Sequence, residues 1–101
     1  MTDHVFSQSD IQQRIVPVLE SYGVTKAVLF GSYSKGMANA ASDVDLLVDS
    51  GLKGLSFMGL VESIREALED KAVDVFDVTH IIPESRVDNE IKETGVVIYA
   101  K

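Results

Sequence analysis

Two short runs of β-type apolar residues, Val24 to Phe30 and Val44 to Val48, flank a segment that opens on Gly31-Ser32 and closes on Ser42. The second run carries a carboxylate inside it, Asp45, and another at its entrance, Asp43, with ten residues between Ser32 and Asp43. Side chains two apart in a strand share a face, so Asp43 and Asp45 project to one side with Cα atoms about 6.6 Å apart. Two ionised carboxylates at that separation repel by about 2.5 kcal/mol at an effective dielectric of roughly 20. A sheet beside a core avoids such a pair unless a cation sits between the groups. A few hard oxygen donors suit Mg2+, which fills its remaining positions with water and substrate phosphates. At the other end of the segment, Gly31 lets backbone approach a ligand closely, and the turn it begins presents N–H groups to a phosphate. The Ser32 hydroxyl adds a donor there, and Lys35, one turn on, adds a point charge.

The rest of the chain supplies a frame. Ile11, Ile15, Val18, Leu19 and Tyr22 recur at helical spacing from Asp10 to Tyr22, with Ser9 as N-cap, Gly23 as the stop and Pro17 as a kink or the start of a second half. A second amphipathic helix spans Phe57 to Leu68, with Phe57, Met58 and Leu60 assigned to the core. A third strand covers Ala72 to Val78, a helix runs from about Pro83 to Thr94 with Gly95 beyond it, and Val96 to Tyr99 forms a last strand. The order of elements predicts an α/β (α+β) fold: a single domain over residues 1–101 with one mixed sheet of about four strands covered by helices. Arg65, Lys71 and Arg86 read as helix-surface charges, His80 as a loop residue and Asp49 as a turn cap. Tyr33 reads either as a contact to a base or ribose or as a surface aromatic over the short helix.

A third carboxylate is expected from the neighbouring strand, where Val73-Asp74-Val75-Phe76-Asp77-Val78 offers two candidates on opposite faces. Asp74 is favoured, because a carboxylate embedded in a buried apolar strand costs several kcal/mol unless paired or metal-bound, whereas Asp77 stands near the strand end where water reaches it. In a two-metal scheme Asp43 and Asp45 hold the metals to the nucleotide phosphates, and the third carboxylate orients or deprotonates the attacking hydroxyl.

Composition narrows the functional classes. A chain of 101 residues with 46% hydrophobic and 25% charged content matches one small folded domain that buries roughly 60 to 65% of its unfolded surface. The net charge of -7 comes without a basic stripe, which disfavours a direct nucleic-acid partner and is compatible with a single nucleotide carried with Mg2+. The absence of cysteine excludes disulfides and thiolate zinc sites, and His4 and His80 are too few for a histidine metal site. Met1 to Asp10 lacks a leader-like run and no stretch approaches the ~18 apolar residues of a membrane span, so a soluble, cytoplasmic protein is expected.

Taken singly, Gly31-Ser32 reads as a plain strand-to-helix turn and Asp43-x-Asp45 as a solvated strand edge. Together, Leu29-Phe30-Gly31-Ser32-Tyr33-Ser34-Lys35-Gly36 followed by Ser42-Asp43-Val44-Asp45-Leu46-Leu47-Val48 resembles the signature of the minimal nucleotidyltransferases, a branch of the DNA polymerase β-like superfamily. The strand around Asp74 and the ending Glu93-Thr94-Gly95-Val96-Val97-Ile98-Tyr99 fall where family members have corresponding segments. The resemblance implies a nucleotidyltransferase palm that transfers a nucleoside monophosphate with Mg2+, usually AMP from ATP. It implies Asp43, Asp45 and Asp74 as catalytic metal ligands, and Gly31, Ser32, Lys35 and Ser42 on the nucleotide. Many small family members are antitoxins that silence a HEPN-domain ribonuclease toxin by adenylylating a tyrosine, so ATP and a HEPN partner are the implied ligands. Lys35 departs from the arginine common at its position, and lysine lacks the two-pronged phosphate contact of a guanidinium. Three functions follow: adenylylation of a partner protein, an antitoxin acting by occlusion with an idle site, and transfer to a small molecule, for which so short a chain offers little binding structure. Oligomeric state, a homo-oligomer included, is left open.

Overall fold

The computed structural model describes residues 5–101; His4 and the other residues of 1–4 lie outside them. The elements are α1 (Gln8–Ser21), β1 (Lys26–Phe30), a 3-10 turn (Gly31–Tyr33), β2 (Val44–Asp49), α2 (Gly54–Ala67), β3 (Val73–Asp77), a second 3-10 turn (Val78–His80), α3 (Arg86–Thr94) and β4 (Val96–Ala100). They build one four-stranded sheet in the order β3-β2-β1-β4. β1 runs antiparallel to β2 and β4, whereas β2 and β3 are parallel and joined through α2, as a parallel pair requires a crossover. The expected mixed sheet covered by helices is what forms.

Alternation along the strands separates two faces. Ala27 and Leu29 of β1, Val44, Leu46 and Val48 of β2, and Ile98 of β4 are buried against Ile11, Ile15 and Leu19 of α1 and Leu60, Ile64 and Leu68 of α2. The opposite face carries Phe30, Asp45 and Asp74 under α3. Fully burying one such aliphatic side chain contributes about 1.5 to 3 kcal/mol, so the helix-covered face is what holds the sheet together.

Several sequence expectations shift in detail. Ser7, not Ser9, caps α1, its hydroxyl accepting from the Asp10 N–H at 3.0 Å. Pro17 lies within the helix, and both it and Gln13, the residue four before it, are exposed. Val24 is buried but outside β1, because its N–H is used by the Leu19 carbonyl at the end of α1. α2 starts three residues before Phe57, and Met58 is 65% exposed, since the face defined by Leu60, Ile64 and Leu68 leaves Met58 turned away. α3 starts at Arg86 rather than Pro83, because Ser85 supplies the cap by accepting from the Asp88 N–H. Arg65 is the surface charge expected, paired with Glu62 at 3.5 Å.

Lys71 and Tyr33 are the larger corrections. Lys71 is 2% exposed in the turn after α2, its Nζ donating to the Ala40 carbonyl at 3.2 Å and standing 5.9 Å from the Tyr33 ring centroid. Tyr33 is itself in the core at 3% exposure. The aliphatic stem of the lysine packs inside while its head is used by the chain connecting Tyr33 to Asp43. No helix among the described residues is long and apolar enough to cross a membrane.

Candidate active site

β1 ends at Gly31, whose φ of +77° is a conformation that L side chains rarely adopt. A Cβ there would lie 2.5 Å from Asp45 Oδ2 and 3.7 Å from Glu90 Oε1. The glycine therefore serves two ends at once, turning the chain and leaving room for carboxylates. Its carbonyl accepts from the Ser34 and Lys35 N–H groups, each at 3.2 Å, and from the Ser34 hydroxyl at 2.8 Å. Gln8 Nε2, reaching over from α1, donates to the Ser34 carbonyl at 2.8 Å and braces the same turn. The Gly31 N–H, expected to face a phosphate, instead donates to Thr94 Oγ1 at 2.9 Å. That hydroxyl in turn donates to the Glu90 carbonyl at 2.8 Å, tying α3 to the turn.

Ser32 is half-buried in the turn and Lys35 is exposed just after it. The Ser42 hydroxyl accepts from the Asn39 N–H at 3.0 Å and so holds the bend before β2, the role of a turn residue. Asp43 is exposed at the entrance of β2. Asp45 is paired with Asp74 in the parallel register, so the two carboxylates leave the same face of neighbouring strands.

The electrostatics of the group centre on Asp45. Burial, followed by the charges of Asp74, Asp43 and Glu90 and a hydrogen bond with Asp74, pushes its carboxyl up from 3.8 to about 6. Like charges thus converge on one carboxylate. The cleft they line has a volume of about 350 Å3, with Phe30, Phe76 and Val87 as apolar lining and Arg86 and Glu90 of α3 on its rim. Phe30 and Phe76 are in contact, their ring centroids 6.0 Å apart.

Asp74 and Asp77 do lie on opposite faces, but with their expected surroundings reversed. Asp74 is exposed in the cleft, while Asp77 is 1% exposed on the core side. Burial alone would push the Asp77 carboxyl up, yet the Ser50 and Thr79 hydroxyl and backbone donors outweigh it and hold it at about 2. Those donors lie at 2.6 and 3.1 Å from Ser50 and at 2.7 and 3.1 Å from Thr79. His80, read as a loop residue, belongs to the same structural cap: its Nδ1 accepts from the Asp77 N–H at 3.2 Å and its ring meets Phe57 edge-on. Asp77→Ala is expected to lower stability by about 2 to 3 kcal/mol by leaving these donors unpaired, measured by denaturant unfolding. Because its folded value lies below the unfolded one, the stabilisation from Asp77 is present above pH 3.8 and is lost as pH falls towards about 2. The mutant should therefore lose its deficit in that window.

Sequence reasoning missed Glu90; Arg86, read as a helix-surface charge, is exposed at the start of α3 as expected and also lines the cleft. Their spacing of four residues within α3 was the available signal, since it sets both on one side of the helix. Among the described residues no three side chains of His, Cys, Asp or Glu already stand as a metal-holding group. The donor chemistry nevertheless fits a hard divalent cation: oxygen ligands only, and mutually repelling.

Comparison with known proteins agrees with this geometry. The chain is 37% identical over 87 residues to "Putative protein adenylyltransferase MJ0435" of Methanocaldococcus jannaschii, covering 81% of this chain and 91% of that protein. A crystal structure of a toxin-antitoxin with AMP-PNP contains a chain that superposes with a TM-score of 0.71 at 25% identity, over 89% of this chain and 73% of that one. A structure of tri-AMPylated Shewanella oneidensis HEPN toxin in complex with MNT antitoxin shares the fold, with a TM-score of 0.66 at 23% identity over 93% and 73% of the two chains. Residues 13–101, which include the Gly31 turn and all three carboxylate positions, match the family of polymerase beta nucleotidyltransferases. With the sheet, the turn and the paired Asp45 and Asp74 in place, the chain belongs to the polymerase beta nucleotidyltransferase family.

Proposed function

We propose that the protein is a Mg2+-dependent adenylyltransferase that moves AMP from ATP to a hydroxyl of a partner protein, a HEPN-domain toxin. The observation that carries this reading is the convergence of Asp43, Asp74 and Glu90 on Asp45, which creates a strong local demand for a cation. Asp43, Asp45 and Asp74 would hold Mg2+, which when bound supplies positive charge to the triphosphate and the leaving group. Gly31, Ser32 and Lys35 would lie on the nucleotide side, at the turn that follows β1. Ser42 shapes the bend that delivers Asp43.

In the transfer, the acceptor oxygen forms a bond to the α-phosphorus as the bond from that phosphorus to the α–β bridging oxygen breaks. Pyrophosphate leaves with the bonding pair, and the hydroxyl proton passes to the Asp74 carboxylate and on to water. Asp74 is suited to this because it is solvent-accessible and adjacent to Asp45. The similarity to a named protein adenylyltransferase and the likeness to antitoxin folds support the acceptor class. The absence of cysteine supports a cytoplasmic setting.

Occlusion of the toxin with an idle nucleotide site is the second reading, favoured by the Thr94 hydroxyl on the Gly31 N–H. The two separate in one assay. Purified protein, α-labelled ATP, Mg2+ and a HEPN-domain toxin are expected to give labelled toxin, with the label lost when EDTA is added. Toxin neutralised without label would sink the enzymatic reading.

A further inference from the structure

The cleft at Asp45 and Asp74 does not end at Arg86. A second hollow, of about 180 Å3, continues from it, sharing Phe76 and Val87 and extending past Ile81, Ile82 and Ser85 on the connection between β3 and α3. The two ends of this path differ in kind. Thr94, at the C-terminal end of α3, sits on the Gly31 turn, whereas Arg86 begins the helix, ~12 Å further along the axis. The nucleotide turn is therefore at one end, and the side of β3, an edge strand, is at the other.

Two features of the far end call for an occupant. Ile82 is 71% exposed beside the hollow, although the neighbouring Ile81 is half-buried. Arg86 forms no ion pair among the described residues, although it shares the cleft with Asp45, Asp74 and Glu90. A guanidinium without an ion-pair partner, lining the cleft where it meets the apolar hollow through the neighbouring Val87, binds a carboxylate with charge and paired hydrogen bonds. A polyanionic occupant is disfavoured by the carboxylates at the near end, and a second copy of the chain would bring another surface with net charge -7 against it.

We infer that this continuous groove is the acceptor subsite. It takes an extended protein segment whose hydroxyl residue reaches Asp74, with an apolar side chain beside that residue seated on Ile81 and Ile82 and an acidic side chain facing Arg86. The inference rests on the protein-adenylyltransferase reading above and adds what distinguishes one acceptor sequence from another. Phe76 and Val87 connect the chemistry to the recognition surface, so acceptor choice is set by the β3–α3 connection and not by the nucleotide turn.

The test uses two fluorescent synthetic peptides with a single tyrosine, one flanked by Leu and Asp, the other by Ser and Lys. Binding to the full chain is read by anisotropy with Mg2+ and a non-hydrolysable ATP analogue, and AMP transfer is read by mass spectrometry with ATP. The Leu/Asp peptide is expected to bind roughly tenfold more tightly. Arg86→Glu and Ile82→Asp should each reduce the preference for the Leu/Asp peptide over the Ser/Lys peptide. Equal binding of the two peptides by the wild type, or a preference that survives both substitutions, overturns the inference. Selective binding of the Leu/Asp peptide without AMP transfer leaves the groove standing and overturns the adenylyltransferase reading. Equal transfer to both peptides does the reverse.

Discussion

Asp45→Asn is expected to lower AMP transfer by about a thousandfold or more while raising the melting temperature of the nucleotide-free protein at neutral pH. The two effects have one cause. The neighbouring carboxylates that would make Asp45 a cation ligand also make its ionised form unfavourable in the fold. Its folded value, about 6, lies above the ordinary 3.8, so the ionised group opposes folding at neutral pH. That cost is complete above about 6 and disappears as pH falls through 3.8, because the wild type then carries a neutral group as the asparagine does. Thermal melts of both proteins at neutral and at acid pH would show the advantage of the mutant shrinking. The kcat/KM of the wild type should fall as pH drops below about 6, since the cation then competes with a proton for Asp45. A mutant no more stable than wild type at neutral pH would contradict the crowding of charge described for this site.

The second large effect is expected at Gly31. An alanine there adds a Cβ at 2.5 Å from Asp45 Oδ2 in a backbone conformation with φ of +77°. The conformation alone costs about 1 to 2 kcal/mol for an L residue. The carboxylate has to swing away from its position, and misplacing a catalytic group by about 1 Å lowers rate on the order of a hundredfold. Gly31→Ala should therefore lose both stability, seen in urea unfolding, and transfer, seen in kcat/KM for ATP. Full activity in this variant would mean that Asp45 does not act from the position beside the turn. Gly36, with φ of +72° but nothing within 4 Å of its would-be Cβ, is the natural control: it shares the backbone strain and should leave Asp45 in place.

These two residues were legible in the sequence because strand parity and glycine chemistry are local properties. Asp43 and Asp45 stand two apart in an apolar run, and a glycine at a strand end needs no tertiary information to be noticed. The opposite faces of Asp74 and Asp77 followed from the same parity. Their burial did not, because nothing local tells which face of an edge strand meets the helices and which meets the cleft. Asp77 went to the core because Ser50 and Thr79, from two separate loops, converge to cap it. Lys71 is a similar case: a lysine in a turn is ordinarily solvated, and only the approach of the Ala40 carbonyl explains its burial. Glu90, Arg86 and Thr94 were passed over because their importance comes from where α3 lands on the sheet, a long-range contact that helical spacing alone does not place.

The alternation along β2 has a consequence for folding. Val44, Leu46 and Val48 fill the core while Asp45, between two of them, faces the cleft. A one-residue slip of this strand would drive Asp45 inward among aliphatic side chains and turn the valines and leucine out into the cleft. The same strand therefore acts as its own quality check: a misregistered molecule cannot bury its core and does not persist as a folded but inactive species.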